Sequence, residues 1–206
     1  MKRVAADNSA INDSAPDFSP VVLLVVDMLS DFESDEMAGL YSSAMRAAKK
    51  IARLRERLAK AGIPVLFIND NQGRWRSDGL AAVEQLSKSE RGRSILKLLT
   101  PGVDDYLLLK PKHSVFYSTP LETLLTYIRA RALILTGLTS MQCVLFSAID
   151  AYVRDFKLFI PRDCVVSETR RDAQVTDYLF RKRLRADTRA SEYLRVPLLR
   201  RIHGTS

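Results

Sequence analysis

Short apolar runs alternate with longer amphipathic stretches along most of this chain. The run Val21–Val26 is continuously apolar, rich in β-branched residues, and ends at Asp27. A strand that is apolar at every position is typical of the interior of a parallel sheet, where helices cover both faces. Similar short runs predict four more strands, over residues 64–68, 106–109, 132–136 and 158–160, and a short sixth strand near residues 193–196.

Helices are predicted between these strands from apolar positions that recur about every 3.6 residues. Residues 42–61 have this spacing, and Gly62 follows as a helix stop. Thr119, Pro120 and Glu122 form a helix-start signature of a capping hydroxyl, a proline at the first helical position and an acid, so a helix should run from there to about residue 129. Further helices are predicted over residues 80–86, 141–154 and 172–185.

The alternation of strands and helices predicts an α/β fold. Parallel neighbours in a sheet need long crossovers, which helices supply. We therefore expect a three-layer α/β/α sandwich with a mostly parallel sheet of about six strands. Residues 1–19, rich in Ala, Asn, Asp, Ser and Pro, predict a disordered or loosely packed leader, and residues 20–206 a single domain with 47% apolar content in the whole chain.

Composition narrows the expected compartment and partners. Two cysteines make no disulfide framework and no secretory signal pattern is found, so we expect a reducing, cytoplasmic compartment. The apolar runs are shorter than the roughly 20 residues that cross a bilayer, which argues against a membrane protein. The net charge of +8 leaves binding to nucleic acid as an alternative, but the basic residues near the C-terminus lack interleaved aromatics and favour a solvated surface. They are Arg181, Lys182, Arg183, Arg185, Arg189, Arg195, Arg200 and Arg201.

Three polar residues follow predicted strands at the positions where ligands bind in open parallel sheets. Asp27 ends the first strand, Lys110 ends the third, and Cys143 opens the helix after the fourth. A helix N-terminus stabilises a thiolate, which would make Cys143 a nucleophile, although a free cysteine is also often a small buried apolar residue. Lys110 and Asp27 could equally form a purely structural ion pair.

Four segments, in this order and spacing, resemble the isochorismatase-like cysteine hydrolases, a family that includes nicotinamidases and carbamoyl-amide hydrolases. Each segment alone is a weak signal, and their combination is specific. The segments are residues 21–32 (VVLLVVDMLSDF), 110–119 (KPKHSVFYST), 133–144 (LILTGLTSMQCV) and 147–167 (SAIDAYVRDFKLFIPRDCVVS).

The resemblance implies a catalytic triad of Asp27, Lys110 and Cys143. In that scheme Asp27 takes the thiol proton, Lys110 orients and polarises the site, and Cys143 attacks the carbonyl to give a thioester that water hydrolyses. The resemblance also implies an oxyanion hole made by the backbone N–H groups of Thr139 and Cys143, and a cis peptide bond between Leu138 and Thr139. Family members act on small molecules and commonly form dimers or tetramers, which we expect here too.

Departures from the family pattern refine this expectation. Leu29 stands where many members have Gln, and residues 69–75 contain no histidine where the metal-binding nicotinamidases have several. With only His113 and His203 in the chain, a multi-histidine site cannot be built, so we expect no metal or other cofactor. Because isochorismate ether cleavage does not need the cysteine, the sequence favours hydrolysis of a C–N bond. Alternatives are an isochorismatase-type ether hydrolase and a catalytically silent binding or assembly module.

Several residues in loops beyond the strand ends could contact a substrate. Each has a competing interpretation as a core, interface or turn residue. His113 could contact substrate or lie on the surface, Asp70 could bond a polar substrate group or form a turn, and Cys164 is expected to be structural. The candidate pocket residues are Phe32, Asn69, Trp75, Phe116 and Tyr117.

Overall fold

A six-stranded, entirely parallel sheet forms the centre of the molecule. We describe it from a computed structural model that covers residues 15, 16, 18–73 and 79–195. The strand order is β3-β2-β1-β4-β5, and β6 pairs with β4 beyond the end of β5. The strands are β1 (Val21–Val26), β2 (Val65–Asp70), β3 (Tyr106–Lys110), β4 (Ala132–Leu138), β5 (Lys157–Phe159) and β6 (Val165–Val166).

Helices connect the strands and cover both faces of the sheet. A π-helical turn at Ser140–Val144 follows β4, and 3₁₀ turns lie at Arg162–Cys164 and Ser191–Tyr193. The α-helices are α1 (Asp35–Ala38), α2 (Tyr41–Ala59), α3 (Gly79–Leu86), α4 (Glu90–Leu99), α5 (Leu121–Tyr127), α6 (Leu145–Val153) and α7 (Arg170–Lys182).

The central strand β1 is buried at all six positions and contributes to two separate cores. Leu23 and Val25 pack into the core beneath α2, α3 and α4, whereas Leu24 and Val26 pack into the core beneath α5, α6 and α7. Successive side chains of a strand point to opposite faces, so a continuously apolar run fits only a sheet covered on both sides. The predicted three-layer α/β/α fold is confirmed.

The last predicted strand, near residues 193–196, is wrong. Tyr193 ends a 3₁₀ turn, Leu194 and Arg195 have no regular structure, and Val196 lies outside the described residues. Leu194 is buried, so its apolar character reflects packing rather than strand pairing. The sixth strand is instead β6, whose two residues pair with Gly137 and Leu138 at the end of β4.

Two further local predictions differ from the structure. The helix α4 was not predicted, although Ile95 and Leu99 bury one of its faces, because its remaining residues are mostly polar. The start of α5 lies one residue later than the helix-start signature predicts. Pro120 occupies the N-cap, and the Thr119 hydroxyl donates to the Val115 carbonyl while accepting a bond from the backbone of Leu121.

Among the described residues, no helix combines the length and apolar character needed to cross a bilayer.

Two of the C-terminal arginines are paired with acids on the surface. Arg181 contacts Asp177 at 3.3 Å, and Arg189 contacts Asp187 at 2.5 Å. Arg200 and Arg201 lie outside the described residues.

Candidate functional site

The carboxyl ends of β1, β3 and β4 bring Asp27, Lys110 and Cys143 together. The Nζ of Lys110 lies 2.8 Å from Oδ2 of Asp27 and 3.4 Å from Sγ of Cys143. Lys110 has no exposed surface and Asp27 is buried, whereas Cys143 is partly exposed. A carboxylate, an ammonium and a thiol therefore meet at one rim of the sheet, and the sulfur is the member of this group that a small molecule can reach.

Asp70, at the end of β2, adds a second carboxylate to this group. Its Oδ2 lies 3.8 Å from Nζ of Lys110, and its backbone N–H donates to Oδ1 of Asp27 at 2.7 Å. The register of the sheet explains this position, because Asp70 is the direct neighbour of Lys110 on the adjoining strand. The sequence placed Asp70 in a turn or beside a substrate, and only the strand pairing shows that it faces the same ammonium.

Burial and charge control which groups are ionised. Burial raises the pKa of Asp27, although Lys110 opposes this effect. Burial, the largest single effect, would lower the pKa of Lys110, but the negative charges of Asp27, Cys143 and Asp70 and the hydrogen bond to Asp27 together outweigh it, so the pKa of Lys110 is raised. Burial, followed by the nearby Asp27 carboxylate, raises the pKa of the Cys143 thiol to about 12. A shift in this direction favours the thiol near neutral pH, whereas the place of Cys143 near a helix start predicts a thiolate.

The backbone beside the sulfur has a tightly constrained geometry. Gly137 in β4 has a φ of +116°, and a Cβ there would lie 1.9 Å from the carbonyl oxygen of Val26. The peptide bond between Leu138 and Thr139 is cis. The carbonyl of Thr139 accepts bonds from the N–H groups of Gln142 and Val144, which closes the turn that contains the cysteine. Glycine therefore allows β4 to approach the end of β1 closely enough to place the turn beside Asp27.

Ser147 on α6 fastens the loop after β3 to the turn that contains the cysteine. Its hydroxyl accepts a bond from the N–H of Val115 at 3.0 Å and donates to the carbonyl of Cys143 at 2.5 Å. His113 lies two residues before Val115 in this loop, and its Nδ1 is 3.9 Å from Sγ of Cys143. The His113 ring also packs against Phe146, with ring centroids 5.4 Å apart.

The candidate pocket residues separate into different environments. Phe32 has no exposed surface and packs against Tyr41 in the core, so it does not line an open pocket. Phe116 is also a packing residue, since its ring stacks on Phe156 with the Arg154 guanidinium above it. An aromatic residue after a strand has the same sequence signal in a core and in a pocket, and only the path of the loop separates the two cases.

The remaining pocket candidates differ in exposure. Tyr117 is exposed, whereas Asn69 is buried beside a cavity between the edge strand β3 and α3, and its Nδ2 donates to the carbonyl of Leu29 at 2.8 Å. Leu29, which stands where many family members have Gln, therefore holds Asn69 through its backbone carbonyl. Trp75 lies outside the described residues.

The second cysteine of the chain lies in the core. Cys164 is fully buried, in agreement with the structural role predicted for it. Within residues 15, 16, 18–73 and 79–195, no three histidine, cysteine, aspartate or glutamate side chains are arranged to hold a metal ion.

Comparison with known proteins identifies relatives over most of the chain. The family model for the isochorismatase domain matches residues 21–182. The isochorismatase family protein YaaI of Bacillus subtilis (strain 168) is 39% identical over 150 residues, which cover 73% of this chain and 82% of that protein. The ureidoacrylate amidohydrolase RutB of Methylorubrum extorquens (strain DSM 6343 / CIP 106787 / DM4) is 28% identical over 68% of this chain and 67% of its own length.

Solved structures show the same architecture. The N-carbamoylsarcosine amidase from Thermoplasma acidophilum superposes with a TM-score of 0.66 at 26% identity, covering 85% of this chain and 99% of that one. A nicotinamidase/pyrazinamidase PncA from Bacillus subtilis gives a TM-score of 0.66 at 21% identity, covering 83% and 100% of the two chains, and shares the fold.

Proposed function

The chain belongs to the isochorismatase family of hydrolases, and from this premise we propose that it is a metal-independent cysteine hydrolase. Its substrate is a small molecule with an amide or carbamoyl C–N bond, and the reaction passes through a thioester on Cys143. The observation that supports this most directly is the position of the Lys110 ammonium, within 3.4 Å of the sulfur and 2.8 Å of the Asp27 carboxylate.

The first half-reaction transfers the acyl group to the sulfur. Sγ of Cys143 attacks the carbonyl carbon while Asp27, whose carboxylate contacts the same Lys110 ammonium as the sulfur, takes the thiol proton. The carbonyl electron pair moves onto the oxygen, and then returns as the C–N bond breaks. The Asp27 proton goes to the departing nitrogen, which leaves as ammonia or an amine, and the acyl group stays on the sulfur as a thioester.

The raised pKa values of Asp27 and Cys143 support this division of roles. A thiol whose pKa is about 12 is a poor nucleophile until its proton is removed. Asp27 has a raised pKa and is therefore a stronger base than an ordinary carboxylate, which suits it to accept that proton during the attack. The Lys110 ammonium stabilises the negative charge that develops on the sulfur as the proton leaves.

Thr139 and Cys143 are the proposed source of the oxyanion hole. Thr139 directly precedes the π-helical turn Ser140–Val144 and Cys143 lies within it, so their backbone N–H groups belong to the same short segment as the attacking sulfur. Donors held this close to the nucleophile stabilise the charge on the former carbonyl oxygen without reorganisation, an effect worth about 3–4 kcal/mol per donor in other hydrolases.

The class of substrate is proposed from the relatives. Both the N-carbamoylsarcosine amidase and the ureidoacrylate amidohydrolase are named for substrates that contain a carbamoyl or ureido group. A carbamoyl or ureido compound, followed by simple primary amides, is therefore the first set to test against this protein.

Ammonia release from a panel of such compounds tests the proposal. Cys143→Ala should remove the activity, and Cys164→Ala should retain it, because Cys164 is buried in the core on the opposite face of the sheet from the one that Cys143 packs against. Circular dichroism should show an unchanged fold in both variants. Full activity in Cys143→Ala would refute the nucleophilic role.

A further inference from the structure

When water cleaves the thioester, the reaction proposed above again needs a proton acceptor close to the acyl group, and the inference drawn from this need rests on that proposed function. Lys110 and Asp27 approach the sulfur from the buried side, where Lys110 has no exposed surface. An acyl group bound to Sγ must therefore project towards solvent. In the part of the chain that the structure describes, His113 is an exposed residue beside the sulfur, with its Nδ1 3.9 Å from Sγ.

The structure holds His113 in place by two independent contacts. Its ring packs against Phe146 on the first turn of α6, with centroids 5.4 Å apart. Its loop is fixed two residues later, where Ser147 bonds both the backbone of Val115 and the carbonyl of Cys143. The loop and the nucleophile are thus tied to the same helix.

We propose that His113 is the general base of the second half-reaction. A water molecule between Nδ1 and the thioester carbon would lie within hydrogen-bond reach of the imidazole, since Nδ1 and Sγ are 3.9 Å apart. Neutral imidazole accepts a proton through one nitrogen while the other remains protonated, so Nδ1 serves as the acceptor and Nε2 carries its hydrogen.

The step balances as follows in atoms and charge. The water oxygen forms a bond to the thioester carbon as Nδ1 of His113 takes one water proton, and the carbonyl electron pair moves onto the oxygen. That pair returns as the C–S bond breaks, and the sulfur of Cys143 leaves with the bonding electrons. The imidazolium gives its proton to the sulfur, which restores the thiol, the neutral imidazole and a free carboxylic or carbamic acid.

Acetylation by p-nitrophenyl acetate separates the two half-reactions. Release of nitrophenolate reports acylation of Cys143, and intact-mass spectrometry after removal of the reagent follows loss of the acetyl group. All proteins should contain Cys164→Ala, so that a single thiol is present. The test variant is His113→Phe, which keeps an aromatic ring against Phe146 but has no nitrogen. Lys112→Gln, in the same exposed loop, is the matched control.

In His113→Phe, acetylation should proceed at a rate close to that of the parent, while the acetyl thioester should be lost about 100-fold more slowly. Lys112→Gln should match the parent in both steps. Free imidazole should accelerate loss of the acetyl group more in His113→Ala than in the parent, a difference that a purely structural role for the ring would not produce.

The outcomes distinguish this inference from the proposed function. Equal rates of thioester loss in His113→Phe and the parent overturn the role of His113 and leave the nucleophilic role of Cys143 intact. Slower acetylation with unchanged thioester loss also overturns it, because the ring would then act in the first half-reaction. If Cys143 of the parent is never acetylated, the proposed function itself fails.

Discussion

Replacement of Lys110 by methionine tests the electrostatic design of the site. The methionine side chain has a similar length and no charge, so the change removes the ammonium and leaves the Asp27 carboxylate buried without its counter-ion. A buried carboxylate without a partner must either lose its burial or take up a proton. We therefore expect a large loss of stability near neutral pH.

The magnitude follows from the geometry. Two unit charges 2.8 Å apart attract by roughly 6 kcal/mol at an effective dielectric constant of about 20. The cost of taking both groups out of water offsets part of this energy, and breaking a buried pair at one partner typically costs about 3–5 kcal/mol. Lys110→Met should lower the free energy of unfolding by that amount at neutral pH.

The loss should depend on pH in a defined direction. Without the ammonium, the pKa of Asp27 in the folded state rises further above its unfolded value, so the folded protein binds the proton more tightly. Stability is then regained as the pH falls through the raised pKa towards the ordinary carboxyl value of 3.8, and is lost as the pH rises through it.

Urea unfolding at several pH values measures both effects. Asp27→Asn combined with Lys110→Met removes both charges and should recover most of the loss at neutral pH. A loss below about 1 kcal/mol, the range of exposed pairs, or a loss that grows as the pH falls, would refute this reasoning.

Three other predictions concern the neighbourhood of the sulfur. Gly137→Ala should lower the free energy of unfolding by about 2–3 kcal/mol, because its Cβ would clash with the Val26 carbonyl; unchanged urea unfolding would contradict the close approach of β4 to β1. In a Cys164→Ala background, the ultraviolet absorbance of the Cys143 thiolate should rise only near pH 12. Asp27→Asn should shift the midpoint of this rise to lower pH, because a negative charge is removed. An unmoved midpoint would exclude an influence of the Asp27 charge on the thiol. The acid limb of the kcat profile should lie above pH 3.8, since Asp27 must be ionised to accept the proton; a limb at or below this value would show that Asp27 is not the base.

The fold could be predicted because its central strands have a strong and simple signal. Val21–Val26 is apolar at every position, which only a sheet covered on both faces accommodates, and the alternation with helical stretches then fixes parallel pairing. The same logic located Asp27, Lys110 and Cys143, because each follows or ends a predicted strand. Short elements escaped prediction: β6 has two residues and owes its pairing to the end of β4.

The ionisation of the site could not be predicted in the same way. The position of Cys143 near a helix start indicated a thiolate, whereas burial and the nearby Asp27 carboxylate raise its pKa to about 12. Those effects depend on distances across strands that are remote in sequence. His113 gave a similarly weak signal, because its approach to the sulfur depends on the hydrogen bonds of Ser147 and on the Phe146 ring.

The most direct test of the central claim is mass spectrometry of the protein after rapid acid quench during turnover of a small amide or carbamoyl substrate. A cysteine nucleophile predicts an acyl adduct on the peptide that contains Cys143, formed and lost at rates that match turnover. Turnover with no adduct on that peptide, or with an adduct on another residue, would contradict a thioester route through Cys143.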